Sequence, residues 1–232
     1  MCPPAQGQPP PRPRLLLGSA NRGKLRELRD ILDGVPVELV GLDDLRGRDG
    51  LGDVPEVAET GQTFLENALL KARAYAAWSG LPTVADDSGL EVDALGGAPG
   101  VYSARYAGAG ATDQANLDKL LRELARAGVP SEPERRAARF RCAAVLADPG
   151  GEWWHAEGVW EGHVIDTPRG SGGFGYDPIF VPAGWDRTSA EVDQTTKNAS
   201  SHRGRAFRAL RPAIEAWVAA HAQTGARVPP SR

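Results

Sequence analysis

The chain has 232 residues, a formal net charge of −3 and a charged fraction of 25%. Its hydrophobic fraction of 41% suffices for a buried core and excludes disorder along the whole chain. The acidic balance supplies no broad basic field for a nucleic-acid backbone, so we expect no nucleic-acid partner.

The sequence predicts neither a membrane span nor a disulfide framework. Aliphatic runs such as Leu15–Leu17 are too short to cross a bilayer, and the N-terminus has no apolar signal-peptide core. The only cysteines are Cys2, near the N-terminus, and Cys142, in an apolar stretch. This usage is typical of a reducing cytoplasm, so we expect a cytoplasmic protein without a membrane partner.

The composition divides the chain into three parts. Residues 1–13 are rich in proline and predict a disordered tail, and residues 223–232 predict a second one. Residues 14–222 contain neither an internal repeat nor a linker, which indicates a single α/β domain.

The N-terminal half predicts a strand, a turn and two helices. The apolar stretch 15–18 is a candidate buried strand, and the polar turn 19–24 leads into a helix with an apolar stripe from Leu25 to Leu32. Residues 42–62 are acidic and glycine-rich, which predicts a loop. A second helix over 63–79 is expected to end at a glycine.

The C-terminal half predicts strands of both directions around one more helix. Strands are expected at 82–85, 139–146 and 152–165, the second of them half-buried, and a helix at 112–127. A glycine-rich loop over 170–177 should lead to a strand at 178–181. A last helix starts near Ser200 or Ser201, and Pro212 should kink or split it. We therefore predict an α/β protein with a mixed sheet.

The turn before the first helix is a candidate phosphate site. A glycine allows close backbone approach, the helix start supplies free N–H donors, and Lys24 adds a positive charge. Leu25 stands where a P-loop has Ser or Thr, so an ordinary helix cap is the alternative. The turn consists of Ser19, Ala20, Asn21, Arg22, Gly23 and Lys24.

Two adjacent carboxylates, Asp86 and Asp87, follow the strand at 82–85. Neighbouring strand residues point to opposite faces, so one carboxylate can hold Mg²⁺ or activate water while the other anchors the loop. The alternative is a turn closed by Gly89. The apolar residues before the pair favour function, because a carboxylate near the interior needs a partner.

Glu66, Asn67 and Lys71 share the polar side of the second helix and follow an acidic turn at Glu59. A solvated helix face explains this pattern as well as a cleft wall does. The sequence leaves both interpretations open.

Phe174 stands among three glycines, in the segment Gly172-Gly173-Phe174-Gly175. An aromatic ring with so little local packing can stack on a flat ligand such as a base. A loop with a buried phenylalanine is the alternative.

Lys197, His202 and Arg203 place three donors near the start of the last helix. Such a cluster can bind an anion or a keto oxygen. A solvated basic helix start is the alternative.

Together these segments resemble the inosine triphosphatase family, the dITP/XTP pyrophosphatases. The resemblance spans about residues 15–217 in the family's order. The segments that carry it are Ser19-x-Asn21-x-x-Lys24, Glu59-Thr60-Gly61-x-Thr63-Phe64-x-Glu66-Asn67-Ala68, Ala85-Asp86-Asp87-Ser88-Gly89-Leu90, residues 96–106, Gly173-Phe174-Gly175-Tyr176-Asp177-Pro178 and Ser201-His202-Arg203-Gly204.

The resemblance implies an elongated mixed sheet flanked by helices, with two lobes and a central cleft, in a homodimer. It implies Mg²⁺-dependent cleavage of ITP, dITP or XTP to the monophosphate and pyrophosphate, with Asp87 as the catalytic carboxylate and Glu59 with Asp87 at the metal. The substrate-binding residues that it implies are Ser19, Ala20, Asn21, Arg22, Gly23, Lys24, Ser88, Phe174, Gly175, Tyr176, Asp177, Lys197, His202 and Arg203.

Two other functions remain open at this point. A related hydrolase with broader or pyrimidine specificity would use the same phosphate machinery. A nucleotide-binding regulator would require the loss of Asp87 or Lys24, and both are present.

Overall fold

Six strands form one mixed sheet in the computed structural model, which describes residues 12–47 and 50–222. The strand order is β2-β1-β3-β4-β5-β6. β1 is parallel to β2 and β3, and the other neighbours are antiparallel, which confirms the predicted mixed sheet. The strands are β1 (Arg14–Leu17), β2 (Glu38–Gly41), β3 (Thr83–Val92), β4 (Ala137–Ala147), β5 (Trp153–Val164) and β6 (Phe180–Pro182).

Six α-helices accompany the sheet in the described residues: α1 (Arg22–Ile31), α2 (Leu42–Leu45), α3 (Phe64–Ser79), α4 (Asp113–Arg126), α5 (Gln194–Ser200) and α6 (His202–Ala222). The predicted bounds of α3 are confirmed, because Thr63 caps its start and Gly80 ends it in the left-handed region at φ 66°. Thr112 likewise caps α4. None of these helices combines the length and apolarity needed to span a bilayer. The predicted tails, apart from residues 12 and 13, lie outside the described residues.

The prediction that Asp86 and Asp87 lie at the end of a strand was wrong, because β3 continues to Val92. β4 pairs with β3 along its whole length, whereas β1 pairs only with Thr83 and Val84. On the β1 side of β3, the only further pairing in the described chain is one bridge from Glu91 to Pro99. The two aspartates therefore stand inside a strand, just beyond the point where its parallel neighbour ends.

Three further elements differ from the predictions. The stretch 42–62, predicted as a loop, begins with the short helix α2. The strand β2, which precedes it at the sheet edge, was not predicted, because four residues are too few to show an alternation of apolar and polar side chains. A one-turn 3₁₀ helix occupies Asp177–Ile179, so β6 starts only at Phe180. The helix α5 was not predicted, because its threonines and asparagine are weak helix formers; Asp193 caps it.

The last helix is not split at Pro212, because α6 runs unbroken from His202 to Ala222. A proline removes one backbone N–H and leaves the carbonyl four residues earlier, at Arg208, without its helical partner. Pro212 is exposed, so water can satisfy that carbonyl.

The strand β4 is half-buried only in its first part, and this corrects the prediction for 139–146. Cys142, Ala144 and Leu146 pack in a core with α1 and α6, while Ala143 and Val145 pack against α3. A separate core lies at the other end of β3 and β4, where α4 covers Leu90 and Phe140 together with Phe180. With a fourth cluster around Leu16, Val40 and Tyr75, the described part of the sheet supports four hydrophobic clusters.

The start of α6 rests directly on the backbone of β5. A Cβ atom added to Gly158 would lie 2.1 Å from the carbonyl oxygen of His202 and 2.7 Å from the amide nitrogen of Ala206. Only a glycine permits this approach. The close contact fixes the position of the first turn of α6, which carries His202 and Arg203.

Candidate functional site

A cleft of about 320 Å³ opens beside β3, within the size range of small-molecule sites. It brings together residues from the N-terminal turn, β3, the glycine-rich loop, α5 and α6. The predicted residues that line it are Ser19, Ala20, Asn21, Lys24, Glu59, Asp87, Ser88, Phe174, Gly175, Tyr176, Asp177, Lys197, His202 and Arg203.

Two predicted binding residues, Arg22 and Gly23, do not line this cleft. Arg22 faces a separate outer groove with Arg26. Gly23 packs against the ring of Phe174, because a Cβ atom there would lie 2.8 Å from that ring. The turn is also a helix cap, since the Asn21 side-chain oxygen accepts from the Gly23 and Lys24 amides at 2.8 and 3.1 Å.

Asp86 points away from the cleft and is fully buried among cations. Lys24 Nζ and Arg203 Nε donate to its Oδ2 at 3.0 and 3.2 Å. Burial alone would raise the pKa of Asp86, but Lys24 and Arg203 hold this pKa far below its ordinary value. Asp86 is therefore a permanent anion that fixes two cations at the cleft wall.

Asp87 faces the cleft in a different environment. Asn67 Nδ2 and Lys71 Nζ each donate to one of its oxygens at 3.2 Å. Burial raises the pKa of Asp87, and the attraction of Lys71 and Lys24 offsets that rise only in part. A carboxylate with a raised pKa is a stronger base than an exposed aspartate.

Glu59 reaches the same lysine from the loop before α3. Lys71 Nζ donates to its Oε1 at 2.7 Å and Arg105 donates to its Oε2 at 3.0 Å. Burial opposes ionisation, but these cations lower the pKa of Glu59. Asn67 and Lys71 both contact Asp87, so this face of α3 belongs to the site and is not merely a solvated surface. Glu66 instead takes part in the N-terminal cap of α3.

Glu59 and Asp87 fit a magnesium ion by the chemistry of their donors. Both carboxylates approach one ammonium group, so they can turn toward one cation. The described residues contain no cluster of three His, Cys, Asp or Glu side chains around a common point. This suits Mg²⁺, which takes one or two carboxylates and completes its shell with water and substrate phosphates.

Glu27 is a site residue that sequence reasoning missed. It is buried on α1 and accepts from Lys197 Nζ at 2.9 Å and from Arg203 Nη1. The sequence could have indicated Glu27 by its position, because it lies three residues after Lys24 and four before Ile31, on the same face of the predicted helix.

The predicted trio of donors is divided between two helices, and its two cations are already paired. Lys197 lies on α5, where its Nζ also donates to Asp177 at 2.6 Å. Arg203 on α6 also donates to Ser88 Oγ at 2.7 Å. These cations are neutralised within the protein, and neither is a free anion-binding group.

Phe174 lies half-buried beside these cations. Lys197 Nζ is 4.9 Å and the Arg203 guanidinium carbon 5.6 Å from the ring centroid. The backbone is held on both sides, because the Phe174 amide donates to Asp177 at 2.9 Å and the Gly175 amide donates to Asp113 at 2.8 Å.

His202 is buried at the same end of the cleft. Its ring stacks on Phe140 at 4.7 Å, and its Nδ1 has no hydrogen-bond partner within the described structure. Burial, reinforced by Arg203 and Lys197, lowers the pKa of His202 well below its ordinary value. The imidazole is therefore neutral at pH 7, and it lines the cleft.

Sequence comparison finds a match to the model of the Ham1 family over residues 15–213. A dITP/XTP pyrophosphatase of Streptomyces coelicolor is 53% identical over 203 residues, covering 87% of this chain and 96% of its own. One of Geobacter sulfurreducens is 52% identical over 198 residues, covering 85% and 94%.

Solved structures of similar proteins share this fold. A HAM1 protein from Coxiella burnetii superposes with a TM-score of 0.75 and 41% identity, over 87% of this chain and 98% of that one. A nucleoside-triphosphatase, also titled dITP/XTP pyrophosphatase, from Mycobacterium abscessus has a TM-score of 0.66 and 46% identity, over 87% and 99%.

Proposed function

The chain belongs to the Ham1 family, and on that premise we propose that it hydrolyses non-standard purine nucleoside triphosphates such as dITP and XTP to the monophosphate and pyrophosphate. The observation that carries the proposal is the set of groups that line one cleft. A lysine-bearing turn, a pair of carboxylates and a half-buried phenylalanine meet there, and these are the groups that phosphates, reacting phosphorus and base require.

Asp87 is the general base in this proposal. Its raised pKa brings it closer to neutral pH, so it can take a proton from a water molecule in the cleft. The hydroxide equivalent attacks the α-phosphorus, the bond to the bridging oxygen breaks, and pyrophosphate leaves. Asn67 fixes the orientation of the carboxylate by donating to Oδ2.

Glu59 and Asp87 would hold the Mg²⁺ ion, which neutralises phosphate charge that would otherwise repel the nucleophile. Lys24 contributes a fixed positive charge at the phosphate end, where Asp86 holds its ammonium group. Lys24 therefore binds phosphate oxygens without having to be ordered when the substrate arrives.

Phe174 can stack on any purine, so stacking does not distinguish one base from another. Discrimination between bases must therefore come from hydrogen bonds. Arg203 already donates to Asp86, Glu27 and Ser88, so neutral His202, which lines the cleft, is the freer group. Through a ring N–H it can donate to a 6-keto oxygen. The 6-amino group of adenine presents a donor there instead and is disfavoured.

The first experiment identifies the products. Purified protein is incubated with dITP, dATP, dGTP and pyrimidine triphosphates, with and without Mg²⁺, and both pyrophosphate and phosphate are assayed. We expect pyrophosphate from dITP, only with metal. Single phosphate release, equal use of dATP or a preference for pyrimidines would overturn the proposal, and nucleotide binding without product would indicate a regulator.

Replacing the proposed base tests its role. Asp87→Asn should reduce kcat by at least about 100-fold, because amide nitrogen cannot accept the proton, while dITP still binds. Asp118→Asn, on the surface of α4, is the matched control and should keep full activity. Full activity of the Asp87 variant would remove this carboxylate from the mechanism.

We also propose that the chain forms a homodimer. Large apolar side chains are exposed on the described protomer, with Tyr102 at 60%, Leu70 at 40% and Trp153 at 37%. These side chains are candidate contacts for the interface of such a dimer. Light scattering at micromolar concentration should give twice the mass of one chain, and a monomer would refute the dimer.

A further inference from the structure

Every oxygen of the two proposed metal-binding carboxylates already accepts a hydrogen bond. Lys71 and Arg105 occupy the two oxygens of Glu59. Lys71 and Asn67 occupy those of Asp87. A metal ion needs at least one oxygen from each carboxylate, so it must displace one of these donors or share an oxygen with it.

Lys71 is the one donor common to both carboxylates. Its Nζ lies 2.7 Å from Glu59 Oε1 and 3.2 Å from Asp87 Oδ1, and its side chain is only 12% exposed. Poor exposure means that little water screens its charge. A divalent cation and this ammonium group would repel each other if both approached the same pair of oxygens.

We propose that Lys71 is an internal counter-ion that occupies the carboxylate pair in the free protein and leaves it when the metal and nucleotide arrive. The proposal rests on the function proposed above and adds an order of events to it. Lys71 keeps metal affinity low until a triphosphate is present.

The cleft provides the new partner that such a movement requires. Lys71 lines the same cleft as Lys24 and the N-terminal turn, so phosphate oxygens in the cleft can accept its hydrogen bonds in place of the carboxylates. The nucleotide then relieves the competition for Glu59 and Asp87. Because coupling between two ligands is reciprocal, metal and nucleotide each strengthen the binding of the other.

The test measures metal affinity without nucleotide, using Mn²⁺ as the probe and electron paramagnetic resonance to count free ion. Lys71→Met should bind Mn²⁺ at least about tenfold more tightly than the wild type, although removing a lysine from an active site would ordinarily weaken function. Lys119→Met is the matched control, since Lys119 donates to the Tyr106 carbonyl, whereas Lys71 donates to Glu59 and Asp87. It should leave the affinity unchanged.

A second comparison covers the case in which Lys71→Met does not fold. Glu59→Gln/Lys71→Met removes one charge of each sign and so keeps the local net charge of the wild type. It should bind Mn²⁺ more tightly than Glu59→Gln alone, because Asp87 is then free of the ammonium group. Equal or weaker affinity in either comparison overturns the role of Lys71. The proposed function fails by a different result, the absence of pyrophosphate from dITP in the wild type.

Discussion

At the scale of single residues, Asp86 and Asp87 show that adjacent carboxylates on one strand can have pKa values shifted in opposite directions. Successive side chains of a strand point to opposite faces. Asp86 meets Lys24 and Arg203, which lower its pKa, whereas burial raises the pKa of Asp87. The pair therefore combines a fixed anion with the proposed proton acceptor.

This difference predicts the acidic limb of the pH profile. Asp87 acts as a base only when ionised, and its raised pKa in the metal-free protein moves the loss of kcat/KM, measured at subsaturating Mg²⁺, to a higher pH than an ordinary aspartate, at about 4, would give. The profile of Asp87→Glu, measured with the same nucleotide, separates the enzyme's titration from that of the substrate. Constant kcat/KM down to about pH 4 would contradict this assignment.

At the scale of elements, the loop that carries Phe174 is tied to α4 across the cleft. The Gly175 amide donates to Asp113 at the first residue of α4, and Phe174 itself contacts Gly23 at the start of α1. The aromatic platform therefore depends on two helices that are far apart in sequence.

Asp113→Ala should loosen this platform. The lost hydrogen bond is worth about 1 kcal/mol, so we expect KM for dITP to rise roughly fivefold with little change in kcat, since stacking acts before the chemical step. Asp113→Asn keeps an acceptor oxygen and should lie close to the wild type. Asp118→Ala controls for the loss of an acidic residue from α4, and an unchanged KM in Asp113→Ala would refute the positioning role.

At the scale of the whole molecule, a buried network of alternating charges joins the parts of the site. Its ion pairs run from Lys24 through Asp86, Arg203, Glu27 and Lys197 to Asp177. Arg203 and Lys197 each lie between two anions, and Lys24 pairs with Asp86 at the end of the network, so every member has a partner of opposite charge. The network connects α1, β3, α5 and α6 with the glycine-rich loop.

Glu27→Gln should break this network at its centre. Two buried cations would lose a partner, which costs about 3–5 kcal/mol of unfolding free energy. Urea unfolding followed by circular dichroism measures the loss. Glu215→Gln, which removes an exposed ion pair with Arg211 on α6, is the control and should change stability by less than about 1 kcal/mol. A small loss at Glu27 would mean that water or other groups replace its charge.

The sequence predicted those helices and strands whose pattern lies within the element itself. The stripe and caps of α3 predicted its bounds, and the alternation in β5 predicted a strand. The true length of β3 was hidden, because its pairing with β4 depends on residues about fifty positions away. Glu27 was missed for a related reason, since its partners lie on α5 and α6.

The bare backbone at Gly158 makes the cleft vulnerable from β5, a strand that does not line it. Gly158 does not line the cleft, yet a single added methyl group would collide with the His202 carbonyl. Relief of that collision must shift the first turn of α6, and with it the guanidinium of Arg203 and the imidazole of His202. Under the role proposed above for His202, variation at Gly158 alters which nucleobases are accepted, so a survey of specificity should include it among the cleft positions.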